Sequence, residues 1–105
     1  MKKRISIIGG GVSGLGAALL AKSKNNYVFL SEKNQLNNKT KQILKSNGIN
    51  YEEGHHSKTL LSSDLIIKSP GISDDSLIVK QIKDKGVSII SEIEYGFENT
   101  DSKII

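Results

Sequence analysis

Apolar residues fall into short unbroken runs that alternate with wider helical stripes along the whole chain. Arg4-Ile5-Ser6-Ile7-Ile8 is short, β-branched and stopped by glycines, the pattern of a buried strand. From Val12 to Ser23 the pattern turns helical, with Gly14, Gly16, Ala17, Ala18 and Ala21 beside Leu15, Leu19 and Leu20, until Asn25-Asn26 breaks it. Tyr27-Val28-Phe29-Leu30 reads as a second strand that ends in the polar stretch Ser31-Glu32-Lys33-Asn34. Leu36, Thr40, Ile43 and Leu44 recur at helical spacing, and Asn47-Gly48 supplies the C-terminal stop. Ile49-Asn50-Tyr51 is a weak third strand, and Asp64-Leu65-Ile66-Ile67-Lys68 a clear fourth, closed by Ser69-Pro70-Gly71.

Ser73 or Asp74 is expected to cap a helix carrying Leu77, Ile78 and Ile82, stopped at Gly86. Val87-Ser88-Ile89-Ile90 makes a fifth strand. Ser91-Glu92-Ile93-Glu94 has the S-x-x-E form of a capping box and predicts a short helix to about Phe97. Asn99 to Ser102 is a turn cluster, and Lys103-Ile104-Ile105 opens what reads as another strand. Alternating strands and helices imply a parallel sheet with helices on both faces. Right-handed crossovers favour the doubly wound strand order 3-2-1-4-5. One domain is expected over 1–102, with 103–105 entering a further domain.

Composition narrows the function. At 105 residues, 36% hydrophobic, the chain can bury one core. No apolar run approaches the ~18 residues of a membrane span, and the basic start Met1-Lys2-Lys3-Arg4 has no signal-like apolar region after it. Zero cysteines exclude disulfides and thiolate metal sites, which suits a reducing cytoplasm. The net charge of +4 comes from scattered lysines, and Tyr27, Phe29, Tyr51, Tyr95 and Phe97 are not interleaved with a basic run. That is a solvated surface, compatible with an anionic small ligand and unlike a nucleic-acid face. A monomer without nucleic-acid or membrane partners is expected.

The chemistry concentrates in Gly9-Gly10-Gly11-Val12-Ser13-Gly14, a G-x-G-x-x-G turn directly after strand one and at the mouth of helix one. Gly9 allows the tight turn, Gly11 lets a diphosphate approach the backbone, and Gly14 lets the helix sit close to the sheet. Amides around Val12 and Ser13 would then face the phosphates, aided by the helix dipole. Glu32 lies at the tip of strand two, where a Rossmann-like dinucleotide fold places an acid against a ribose hydroxyl. NAD binding is therefore open on this motif alone. Against it stand the missing second mononucleotide half and the lack of any evident hydride-transfer acid or base.

Other polar residues have plainer readings. His55-His56 reads as a surface loop, because adjacent strand residues face opposite ways and no second metal-ligating cluster accompanies them. Glu52-Glu53 is expected to end a strand and Asp74-Asp75 to begin a helix. Glu94 fits the capping box, while the role of Glu92 is open. Ser69 has no nucleophile-elbow context.

Four stretches taken in order resemble the first domain of the Mur ligases, within them the branch that adds D-glutamate. They are Ile7 to Leu15, Ser31 to Asn34, Asp64 to Ile72 with its S-P-G-I loop, and Ser91 to Tyr95. The resemblance covers nearly the whole chain. It implies that the glycine turn takes UDP in place of NAD, with Val12 and Ser13 amides on the diphosphate. Glu32 would then bond the uracil edge, with Lys33 and Asn34 beside it, and Ser69, Pro70 and Gly71 would close over the nucleotide. Many relatives carry Asp where Glu32 stands, and a basic or hydroxylated residue where Asn34 stands. The family's next element is a strand entering a G-T-N-G-K-[ST] phosphate loop, and Ile104-Ile105 sits where that strand would begin. For the whole enzyme the resemblance implies ATP, Mg²⁺ and an acyl-phosphate route to an amide, with no catalytic or metal residue in this chain. The alternatives are an NAD(P)- or nucleotide-sensing module and an interaction domain whose glycine turn is only structural.

Overall fold

The computed structural model describes residues 2–98. Five strands, β1 (Arg4–Ile8), β2 (Tyr27–Glu32), β3 (Asn50–Glu53), β4 (Leu65–Lys68) and β5 (Ser88–Ser91), form one sheet in the order β3-β2-β1-β4-β5. All four pairings are parallel, as the α/β alternation predicts. Helices α1 (Val12–Ser23), α2 (Asn38–Ser46), α3 (Leu77–Asp84) and α4 (Glu92–Glu98) connect and cover it. The expected turn at 99–102 and strand at 103–105 lie outside the described residues. Among the described residues, no helix is long and apolar enough to cross a membrane.

The central strand explains the layering. Ile5 and Ile7 point to one face, where they pack with Ala17, Ala18 and Ala21 of α1, Leu44 of α2 and Tyr95 of α4. Ile8 points to the other, against Leu60, Ile66 and the Ile78, Val79 and Ile82 stripe of α3. Both faces of β1 are therefore dry, as parallel strands require. The buried face of α1 is Gly14, Ala17, Ala18 and Ala21, spaced at i, i+3, i+4 and i+7. Small residues there set a close helix-to-sheet distance.

Local chemistry accounts for most element ends. Asn37 caps α2 by accepting the Thr40 N–H at 2.7 Å, and α2 stops at Asn47-Gly48. The capping box forms, with the Glu94 N–H donating to Ser91 Oγ at 3.1 Å and the Ser91 N–H reaching Glu94 Oε1 at 3.5 Å.

Two expectations need correction, and one element is new. The cap of α3 is Ser76, because Ser73 to Ser76 close a turn of their own through the Ser76 N–H to Ser73 carbonyl bond and the Asp75 N–H to Ser73 Oγ bond, both 3.1 Å. Asp74-Asp75 accordingly lies in that turn, ahead of the helix. β2 runs on to Glu32, since pairing with both β1 and β3 holds Ser31 and Glu32 extended. A 3₁₀ turn over Lys58–Ser62 went unforeseen; it inserts the fully buried Leu60 beneath β4.

Candidate functional site

The carboxyl ends of β1 to β4 open onto one cleft of about 800 Å³. It sits where the order reverses between β1 and β4, the place open α/β sheets reserve for ligands. Gly9 and Gly11 form its floor, Glu32, Lys33 and Asn34 follow from β2, and Gly54, His55 and His56 follow from β3. Ser69, Gly71 and Ile72 arrive from the end of β4, and Leu77 and Gln81 of α3 face them.

The glycine turn divides its labour. Gly9 has φ +110° and donates its N–H to the Ser31 carbonyl at 2.8 Å; a Cβ there would come 2.6 Å from that of Ser69. A Cβ on Gly10 would overlap Leu36, and one on Gly14 would overlap the Gly9 carbonyl. Gly11 differs, because a Cβ on it meets no atom within 4 Å and the residue faces the cleft. Gly11 is also the N-cap of α1, without a side-chain cap and without an acid in the first turn. The amides of Val12, Ser13 and Gly14 therefore have no intrahelical acceptor, and no acid within the first turn offsets the positive end of the dipole. Val12 is 92% exposed at this end of the helix. Gly14 is buried against Gly9, so it adds an amide and close packing rather than a surface. Pro70 is exposed and does not line the cleft, although Ser69 and Gly71 on either side do.

Glu32 ties the two halves of the floor together. Its Oε1 accepts the Gly10 N–H at 2.6 Å, and its Oε2 accepts the Asn34 N–H at 2.9 Å. Each carboxylate oxygen keeps a further lone pair. Beyond it, Glu53 of β3 accepts the Leu36 N–H at 2.8 Å and pairs with Lys41 at 2.7 Å. The Lys41 ammonium and that amide hold the Glu53 carboxyl below its ordinary range. Lys68 Nζ donates to the Ile72 carbonyl at 2.8 Å and lies 3.4 Å from Asp74, which pins the loop after β4.

Two residues were underrated from the sequence. His56 was expected in a surface loop, yet its Nδ1 lies 2.6 Å from the hydroxyl of Ser31, which is fully buried. The same hydroxyl donates to Glu52 Oε2 at 2.6 Å, and Glu52 also accepts the Ser57 N–H at 2.8 Å. The signal available was register: a serine one residue inside the end of β2 pairs with Glu52, whose strand feeds the histidines. Burial pushes the Glu52 carboxyl up, but the bonds from Ser31 and Ser57 outweigh it and the net shift is downward. Burial also lowers the pKa of His56, against the pull of Glu52 and Glu32. His55 is exposed and touches Glu52 only at 3.4 Å.

The second residue is Glu92, at the start of α4 and close to the hydroxyls of Ser69 and Ser13. Burial raises its pKa more than those hydroxyls lower it, and its Oε1 is enclosed without a hydrogen-bond partner. A carboxyl biased toward its neutral form is compatible with an anion nearby.

Known proteins share this fold. The chain is 46% identical over 104 residues to UDP-N-acetylmuramoylalanine–D-glutamate ligase of Bacteroides thetaiotaomicron, covering 98% of this chain and 23% of that protein. The enzyme of the same name from Christiangramia forsetii is 43% identical over 96 residues, covering 90% and 22%. Among solved structures, a pseudomurein peptide ligase type C from Methanothermus fervidus superposes with a TM-score of 0.82 at 28% identity, over 97% of this chain and 21% of that one. UDP-N-acetylmuramate-alanine ligase MurC from Thermotoga maritima gives 0.76 at 26% identity, over 91% and 22%. The chain thus spans under a quarter of the length of these relatives. The MurD N-terminal domain profile matches residues 4–78, and with the sheet order and glycine turn in place, the chain belongs to the MurD N-terminal domain family.

Proposed function

We propose that the domain binds the UDP end of UDP-N-acetylmuramoyl-L-alanine for an ATP-dependent ligase that adds D-glutamate during peptidoglycan synthesis. The supporting observation is the pairing of an uncapped, acid-free first turn of α1 with the open space above Gly11, at one end of an elongated cleft. Val12 and Ser13 amides would hold the diphosphate there, because main-chain N–H groups converge on it without reorganisation. Glu32, Lys33 and Asn34 lie toward the nucleoside, where the remaining lone pairs of Glu32 suit a ribose hydroxyl or the uracil edge. Ser69 and Gly71 form the opposite lip.

Amide-bond formation in the whole protein would use ATP and Mg²⁺ to convert a carboxylate into an acyl phosphate that D-glutamate attacks. Among the described residues no group of three His, Asp or Glu could hold a metal ion. The part proposed for this chain is to bind and orient the substrate.

Amide chemical shifts followed during titration with UDP-N-acetylmuramoyl-L-alanine, UDP and NADH test the proposal. Shifts at Gly11 to Gly14 with both uridine ligands are expected. Gly11→Val is expected to remain folded and to weaken UDP binding by about 100-fold, because its side chain occupies the diphosphate's space. Shifts with NADH alone would favour a nucleotide-sensing module and overturn the proposal, as would undiminished UDP binding by a folded Gly11→Val protein.

A further inference from the structure

At the start of α4, Glu92 joins two parts of the molecule that meet only through the fold. The hydroxyls of Ser69, from the loop after β4, and of Ser13, from the first turn of α1, both stand beside its carboxyl. Ser69 lines the cleft, and Ser13 is exposed at the glycine-turn end. One carboxyl oxygen, Oε1, is enclosed and has no hydrogen-bond partner among the described residues. The first turn of α1 carries no acid of its own, so Glu92 brings a carboxyl toward it from another helix.

Proton counting gives the two forms of this carboxyl opposite effects. An ionised carboxylate only accepts. It takes the protons of both hydroxyls, and Ser13 keeps none to offer a ligand. A neutral carboxyl has one proton to give. Donated to Ser13 Oγ, it leaves the Ser13 proton free to turn outward. The enclosed Oε1 favours the neutral form, because a charged oxygen shut off from water and from any donor loses its hydration without replacement. Burial raises the pKa of Glu92 more than the two hydroxyls lower it, in agreement with that geometry.

We propose that Glu92 takes up a proton from solvent when the diphosphate binds, and that the neutral carboxyl donates to Ser13 so that the Ser13 hydroxyl bonds a phosphate oxygen. Glu92 is then a positioning residue, acting on the ligand through Ser13. Two effects drive the uptake. The diphosphate brings negative charge to the end of α1, and a like charge disfavours an ionised carboxyl. The freed hydroxyl also adds a donor to the open amides, available only while Glu92 is neutral. The surrounding groups leave that proton to Glu92. α1 presents Ser13 and its amides, and the end of β4 presents Ser69. Lys68, beside Ser69 in the chain, is held by the Ile72 carbonyl and Asp74. From β5 comes Ser91, bonded to Glu94 of α4, and Tyr95 of α4 is buried in the core.

The inference rests on the proposed UDP site, and the experiment separates the two. UDP-N-acetylmuramoyl-L-alanine is the probe, because its diphosphate is esterified at both ends and, unlike the terminal phosphate of UDP, does not titrate near neutral pH. Calorimetry in buffers of different ionisation heat counts the protons taken up on binding. The unsubstituted chain is expected to take up a fraction of a proton, and its affinity to fall about ten-fold as pH rises through the Glu92 range. Glu92→Gln, whose amide donates as the neutral carboxyl does, should bind without that uptake and vary by less than about two-fold over the same range. An acid serving only the dipole of α4 would change stability when replaced and leave the proton count alone. Uptake undiminished in a folded Glu92→Gln protein, or absent from the unsubstituted chain, would overturn the inference and leave the UDP site intact. No binding by the unsubstituted chain would overturn both. The Glu92 carboxyl ¹³C shift of the unsubstituted chain gives a measurement independent of variant folding. Its titration should move to higher pH with the ligand bound; an unmoved midpoint would end the assignment.

Discussion

At the β1–α1 end of the cleft the wall is main chain, with Gly9 to Gly11 and the first-turn amides of α1 presented bare. At the β2–β3 end it is side chain: Glu32 accepts the Gly10 and Asn34 amides, and separately the buried Ser31 bonds both Glu52 and His56. On the proposed UDP-binding role, the difference matches what each end would recognise. A diphosphate is a diffuse anion that several N–H groups satisfy from many angles. A base edge carries a donor and acceptors in a fixed pattern, and it is told apart by side chains held in fixed places. The backbone end therefore depends on the absence of side chains, and the other on side chains that meet through strand register.

The sharpest break in that contrast is Gly14→Val. Its Cβ would run into the Gly9 carbonyl, which is backbone and cannot swing aside. A loss of about 3 kcal/mol or more is expected in urea denaturation, whereas Gly11→Val at the open cap position should cost only about 1 kcal/mol. Equal losses for the two would show that the turn has no open position.

Ser31→Ala probes the side-chain end. It removes the bond from Glu52 and the acceptor for His56 together, so about 1–3 kcal/mol of stability should go. A Ser31→Ala protein that loses no stability in urea would mean that these bonds do not hold the β2–β3 end together.

The smallest effect is on the acid side of the stability curve. His56 has its pKa lowered by burial, and Glu52 has its pKa lowered by hydrogen bonds that overcome burial. In both cases the unfolded chain binds more protons than the native one. Stability is therefore present above the ordinary values and is lost as pH falls, from 6.5 downward for His56 and from 4.5 downward for Glu52. Glu92 works in the opposite sense, its raised pKa costing stability as pH rises through it. Glu52→Gln should flatten the decline of unfolding free energy below pH 4.5 by less than about 1 kcal/mol, because the site is partly exposed. A decline as steep as in the unsubstituted chain would remove Glu52 from the account.

Periodicity alone gave the five strands and their alternation with helices, because each signal is local: a β-branched run, an i, i+3, i+4 stripe, a glycine stop; the order 3-2-1-4-5 came from the handedness of the crossovers. The glycine turn was legible for the same reason, since G-x-G-x-x-G between a strand and a helix is a local constraint on backbone space. The role of each glycine was only partly legible. Gly14 as a packing residue and Gly11 as the open one could be read, but Gly10 could not, because what fills its Cβ position is Leu36 from beyond β2.

Ser31, Glu52 and His56 lie within 25 residues of one another and still looked unrelated. Their meeting depends on the register of β2 against β3 and on the turn at Gly54, which has φ +85°. Hydrogen-bond direction and burial are properties of three groups at once, and no single window of sequence contains them. The chain by itself determined which backbone this is and where phosphate-binding amides would be exposed. The tertiary structure decided which side chains meet at the other end of the cleft, because strand register and burial act on residues far apart in the chain.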